Sequence, residues 1–154
     1  MSDHYQRIVL AFDGSPTAEE ALERAIDMAN SWSSQLAIVV VYQPPVLWVV
    51  GPAPPDVWPV DEGRALNRLL RRAVKKAEDK GVKDLKGVFL QGIPADEILR
   101  YAEDNKADLI VMGSRGRSTA SRLLMGSVSD AVVHHAAIAV HVVRPRPVRN
   151  TEPA

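Results

Sequence analysis

The sequence predicts one α/β domain, a doubly wound, Rossmann-like parallel sheet of five strands with helices on both faces. Short apolar runs alternate with segments of three-and-four apolar spacing along the chain. One run, Leu36 to Tyr42, is apolar almost throughout. Glycines follow two of the strand candidates at the point where a helix is about to begin. Alternation of strands and helices implies right-handed crossovers and a sheet covered on both sides. A continuously apolar strand is one buried on both faces. In such sheets ligands sit beyond the carboxyl ends of the strands, where the strand order reverses.

The elements follow in order. Ile8 to Phe12 is a short strand that meets Asp13-Gly14-Ser15-Pro16, with Ser15 as N-cap and Pro16 at the first helical position. Ala18, Ala21, Leu22, Ala25 and Ala29 then fall on one helical face. Leu36 to Tyr42 is the central strand. Gln43 to Val60 holds six prolines and two tryptophans and reads as a long surface loop. Trp48 and Trp58 there either fold onto the sheet or form a partner surface. Leu66, Leu69, Leu70, Ala73 and Ala77 mark a second helix, ended by Gly81.

Val88 to Leu90 is a third strand, and Asp96 and Glu97 suit the first turn of a third helix carrying Ile98, Leu99 and Ala102. Leu109 to Met112 is a fourth strand, Ser127 to His135 a fourth helix, and Ile138 to Val143 the last strand. The domain is expected to span residues 1–145. Residues 146–154, within a proline-bearing end, read as a flexible tail.

Composition narrows the function classes. The chain has 154 residues, a length that suits one hydrophobic core. Lysine plus arginine and aspartate plus glutamate number 19 each, so no net field gathers polyanions, and nucleic acid is not an expected partner. No stretch nears the roughly 18 consecutive apolar residues of a membrane span, so no membrane partner is expected either. With no cysteine and no apolar leader, a cytoplasmic location is expected.

The chemistry concentrates after the fourth strand. Gly113-Ser114-Arg115-Gly116 is followed, after nine residues, by Gly126-Ser127 at the start of the last helix. A backbone that wraps phosphates must expose N–H groups without a Cβ in the way, and a helix N-terminus adds free donors and a positive dipole end. A plain turn is the alternative. A P-loop would need Lys before Ser127, and a dinucleotide fingerprint would need its glycines after the first strand. Arg115, Arg117 and Arg122 are placed either to clamp phosphate oxygens or to stay solvated, and Arg117 enters the expected ligand set. Ser118, Thr119 and Ser121 are candidate phosphoryl acceptors or ordinary loop hydroxyls. Asp13, at the end of a central strand, is placed to accept ribose hydroxyls or to cap the helix at Ser15-Pro16. His134, His135 and His141 lack a metal-ligand pattern, and His134 and His135 suit a helix terminus.

Gly113, Gly116, Gly126 and Ser127 reproduce, without a gap, the pattern of Gly, two residues, Gly, nine residues, Gly, Ser or Thr. On that motif, on Asp13-Gly-Ser and on Ala107-Asp-Leu-Ile-Val-Met-Gly-Ser-Arg-Gly116, the chain resembles the ATP-binding branch of the universal stress protein family from about Arg7 to Pro145. The resemblance implies the strand order 3-2-1-4-5 and an adenine nucleotide, ATP with Mg²⁺, lying across strands one and four. It implies that Ala11 and Phe12 line the base, Asp13 bonds the ribose or adenine side, Val41 holds the adenine edge through its backbone, and Met112 flanks the pocket. Gly113, Gly116, Gly126, Ser127 and Val128 would wrap ribose and phosphates.

A homodimer through the last strand is also implied, although Ala139 stands where the family often has proline and His141 where it usually has an apolar residue. Further protein partners are expected but not named by the sequence. The expected function is a nucleotide-dependent stress-response module with weak or no hydrolysis. The alternatives are a nucleotide-free dimeric interaction protein and an ATP-cleaving or adenylating enzyme of a related fold.

Overall fold

The structure, a computed structural model, describes residues 4–44, 60–114 and 125–145. Five strands and four helices alternate within these residues: β1 (Arg7–Ala11), α1 (Pro16–Trp32), β2 (Gln35–Tyr42), α2 (Val60–Asp79), β3 (Leu85–Gln91), α3 (Pro94–Asp104), β4 (Leu109–Gly113), α4 (Ser127–His135) and β5 (Ala139–Val143). All four pairings are parallel, in the order β3-β2-β1-β4-β5. The order reverses between β1 and β4, the place where a doubly wound sheet opens a crevice.

Two cores sandwich the sheet. Ile8, Leu10, Ile38 and Val111 face the inner sides of α1 and α2, while Val9, Val39, Ile110 and Met112 face α3 and α4. Each such Leu, Ile or Val contributes about 1.5–3 kcal/mol when fully buried. The alanines expected on the inner face of α1 are all buried, and their small side chains let the helix lie close to β1 and β4. Ser15 caps α1 by accepting the Ala18 N–H at 3.3 Å.

Strand ends shift by a residue from the sequence reading, and two elements, α2 and β3, differ by more. Helix α2 begins at Val60, six residues before Leu66, with Asp61 and Glu62 in its first turn. Those acidic residues favour the positive helix end even where apolar periodicity has not yet begun. Strand β3 runs over seven residues rather than Val88 to Leu90. It lies at a sheet edge, so exposed Lys86 and Gly87 interrupt its apolar pattern without breaking its pairing with β2. The segment carrying Trp48 and Trp58, and residues 146–154, lie outside the described residues.

Helices α1 and α2 are also joined by ion pairs. Arg72 meets Glu19 at 3.0 Å, and Glu23 takes Lys76 at 2.5 Å and Lys80 beside it. Hydrogen bonds from Lys76 and then Lys80 hold the Glu23 carboxyl below its ordinary range.

The amino end of the sheet is closed by hydrogen bonds. The Asp108 carboxylate accepts the N–H of Gln6 at 2.8 Å and of Arg7 at 2.9 Å, fastening the start of β1 to the approach to β4. The buried Ser34 hydroxyl donates to Tyr5 O at 2.5 Å, and the Trp32 ring stacks on His4. Among the described residues, no helix is long and apolar enough to cross a membrane.

Candidate functional site

The carboxyl end of the sheet is built differently. Beyond β1 the chain turns sharply at Asp13-Gly14-Ser15: the Asp13 carboxylate accepts the Ser15 N–H at 2.9 Å, and Gly14 adopts φ +77°. A side chain at 14 would be strained in that left-handed conformation and would press on Leu69 of α2. Asp13 therefore serves the turn, and it also lines a cavity of about 370 Å³ set among the ends of β1, β2 and β4 and the starts of α3 and α4. That volume falls within the range of small-molecule sites.

Its walls are largely apolar. Ala11, Val39, Met112 and Ile98 belong to the core on the α3 and α4 side, and Val41 and Val128 pack against it. The polar groups sit at the margins and are mostly backbone.

Strand β2 supplies the first set. It outruns β1: their register ends at Ala11 opposite Val39, and the Phe12 N–H donates to Val39 O at 2.9 Å. In a parallel ladder the peptide groups of alternate residues point to opposite neighbours. Val41 thus faces the same side as Val39, whereas Tyr42 O turns to β3 and accepts the Gly92 N–H at 3.0 Å. Neither the N–H nor the C=O of Val41 has a hydrogen-bond partner among the described residues. One donor and one acceptor stand side by side at the cavity edge. A heterocycle with an acceptor nitrogen next to an amino group matches that pair.

Helix α4 supplies the second set. Gly126 is its N-cap and provides no side-chain hydrogen bond. The first helical bond runs from the Asp130 N–H to Gly126 O at 2.9 Å. The N–H groups of Ser127, Val128 and Ser129 consequently have no acceptor among the described residues. Three parallel donors at a positive dipole end suit an anion. The exposed Ser127 adds a hydroxyl.

Gly113 has a more specific reason to be glycine than the wrapping of phosphates. It ends β4 with no positive φ, and a Cβ there would strike Thr17 Oγ1 and lie 2.8 Å from the Ala18 backbone nitrogen. The absent side chain lets the first turn of α1 rest on β4, which places Ala18 at the cavity wall.

Of the residues expected from the sequence, Ala11, Phe12, Asp13, Val41, Met112, Gly113, Gly126, Ser127 and Val128 line this one cavity. Gly116 and Arg117 lie outside the described residues, as do Arg115, Ser118, Thr119, Ser121 and Arg122. Ala18, Val39, Pro94, Ile98 and Ser129 also line the cavity and were not anticipated. For Pro94 the signal was its position at the start of a helix directly after a strand; for Ser129 it was a hydroxyl three residues past Gly126. His134 and His135 occupy the last turn of α4, and His134 Nδ1 lies 2.8 Å from Asp130 O. Among the described residues no three His, Cys, Asp or Glu side chains are grouped to hold a metal.

The profile of the universal stress protein family matches residues 4–144. A universal stress protein of Methanocaldococcus jannaschii is 36% identical over 146 residues, covering 91% of this chain and 82% of its own. The universal stress protein UspA from Lactobacillus plantarum has a similar solved structure, with TM-score 0.78, 26% identity, and coverage of 93% of this chain and all of its own. A universal stress protein solved in complex with cAMP superposes with TM-score 0.71 at 27% identity, covering 92% and 98% of the two chains.

Proposed function

The chain belongs to the universal stress protein family, and on that premise we propose that it binds one adenine nucleotide, ATP, in the cavity between the ends of β1, β2 and β4 and the start of α4. One observation carries the reading: two sets of backbone groups without hydrogen-bond partners among the described residues lie beside one apolar cavity. The Val41 pair suits the acceptor nitrogen and amino group of adenine, and the α4 donors suit phosphate. Buried or half-buried polar groups are ordinarily paired, so open ones aimed at one space point to a ligand. The relative in complex with cAMP supports an adenine nucleotide as the ligand class.

In this reading Asp13 accepts from the ribose, and Gly116 and Arg117 complete the phosphate side. Mg²⁺ arrives with the triphosphate, which suits an ion that keeps several waters and needs few protein ligands. Asp13 is the one carboxylate lining the cavity among the described residues, and Ser15 already engages it. The protein is therefore a binding module with at most slow hydrolysis, whose nucleotide state alters its contacts with other proteins. Pairing of two copies through the outer edge of β5, the margin of the sheet, is part of the same proposal.

A calorimetric titration of Mg·ATP into nucleotide-free protein tests this. Saturable binding near one per chain, displaced competitively by AMP or cAMP, is the expected result. Absence of saturable heat with all three would favour the nucleotide-free interaction protein, and rapid release of AMP and pyrophosphate would favour an enzyme.

A further inference from the structure

We infer that Ser129 is a positioning residue of this site, holding the donor end of α4 against the end of β4. The inference rests on the nucleotide reading above. Ser129 is 2% exposed, and its hydroxyl lies 2.9 Å from Ser114 O and 3.0 Å from Gly126 O. Its single proton is shared between two carbonyls that belong to opposite ends of the 115–125 connection. Ser114 O also accepts the Gly126 N–H at 2.6 Å, and the Ser114 N–H donates to Val143 O at 2.8 Å. The start of α4 is thereby tied to the end of β4, and through Ser114 to β5.

The chemistry at the mouth follows. An anion approaching three N–H donors is repelled by any carbonyl lone pair turned toward it. Gly126 O points along the helix to the Asp130 N–H, away from the mouth, Ser114 O accepts the Gly126 N–H, and the single Ser129 proton lies within reach of both oxygens. With one proton to give, Ser129 completes one of these oxygens at a time, beside the backbone N–H that each already accepts. The site is left with donors facing its ligand, a polarity that favours phosphate over a neutral group.

Ser129→Ala removes the one proton that the two carbonyls share and leaves each with its backbone donor, so the fold persists. Calorimetry with ATP and with adenosine separates the roles. In Ser129→Ala, ATP affinity is expected to fall about fivefold to tenfold, the scale of one lost hydrogen bond. Adenosine, which makes no phosphate contact, is expected to change less than about twofold on the same scale. Ser129→Thr, which keeps the hydroxyl, is expected to recover most of the ATP affinity. Equal loss for both ligands, no loss for either, or no recovery in Ser129→Thr would overturn the inference. If the native protein takes up neither ligand, the nucleotide reading fails and the positioning role is read from amide exchange. Faster exchange at Gly126 N–H in Ser129→Ala supports the tie, and unchanged exchange overturns it.

Discussion

The two ends of the sheet are made from the same strands and treat their peptide groups in opposite ways. At the amino end, Asp108 takes the N–H groups of Gln6 and Arg7, Ser34 takes the carbonyl of Tyr5, and the Gln35 N–H donates to Gln6 O at 2.8 Å. At the carboxyl end, Val41 and the first turn of α4 have donors and an acceptor with no partner among the described residues, beside a cavity. Closing hydrogen bonds at one end stabilises the fold, and under the proposed function the groups open at the other serve a ligand. The difference locates function more narrowly than the fold does, since one fold hosts many activities.

Three substitutions probe that difference. The largest effect is expected from Ser127→Pro. Proline is tolerated at the first helical position, and Gly126, at φ −62° and ψ 158°, has the extended backbone a following proline requires. The substitution deletes one open N–H and one hydroxyl. ATP affinity is expected to fall about tenfold to a hundredfold, as for loss of hydrogen bonds to a charged group. The thermal midpoint is expected to stay within about 3 °C, which on the usual scaling is under 1 kcal/mol for a domain of this size. A large drop in the midpoint together with intact binding would erase the contrast between the ends.

Asp108→Ala should act in the reverse sense. It removes the acceptor of two N–H groups that water can partly replace, so unfolding by urea is expected to show a loss of about 1–2 kcal/mol with ATP affinity unchanged. Coupled loss of affinity would mean that the two ends communicate through β1 and β4.

The smallest effect is expected from Glu23→Gln, in the ion-pair ladder on the outer surface of α1 and α2. Lys76 and Lys80 lower the folded-state Glu23 carboxyl from a starting value of 4.5. A depressed carboxyl stabilises the fold above its unfolded value and loses that contribution as pH falls through the folded one. The native protein should therefore lose stability below about pH 4.5 more steeply than Glu23→Gln, by at most about 1 kcal/mol because the pair is solvent-screened. Thermal melts between pH 3 and 7 compare the two, and identical profiles would show that the ladder contributes nothing measurable.

Much of the fold was legible in the sequence because the determining signals are local. Alanine spacing in α1, the Ser15-Pro16 start and the continuous apolar run of β2 each predict their element from residues within one turn or strand. β3 was read short because an edge strand tolerates Lys86 and Gly87 where a central strand would not. The start of α2 was hidden because its early residues, Asp61 to Ala65, carry charge rather than apolar period.

For the site, nine expected residues line the cavity: the glycine motif names Gly113, Gly126 and Ser127, the family resemblance implies the other six, and all lie at strand ends or a helix start that the topology must bring together. What stayed hidden depends on distances between elements. The contact of Gly113 with Thr17 and the double acceptance at Ser129 exist only once α1 and α4 have docked. The backbone role that the resemblance implies for Val41 depends in turn on the relative lengths of two strands, which leave its peptide without a partner among the described residues.

That overhang of β2 also bears on how such a pocket can change over time. The groups it presents belong to the main chain, which every residue except proline carries in the same form. Drift in the side chain at position 41 would reshape the wall while leaving the hydrogen-bonding pattern intact. A change in which heterocycle is read would instead require an insertion, a deletion or a register shift that alters where β1 stops. Such events are rarer than point substitution and riskier for a packed core. Under the proposed function, a lineage of these proteins accumulates many differences around the cavity and still recognises the same edge of the same ring.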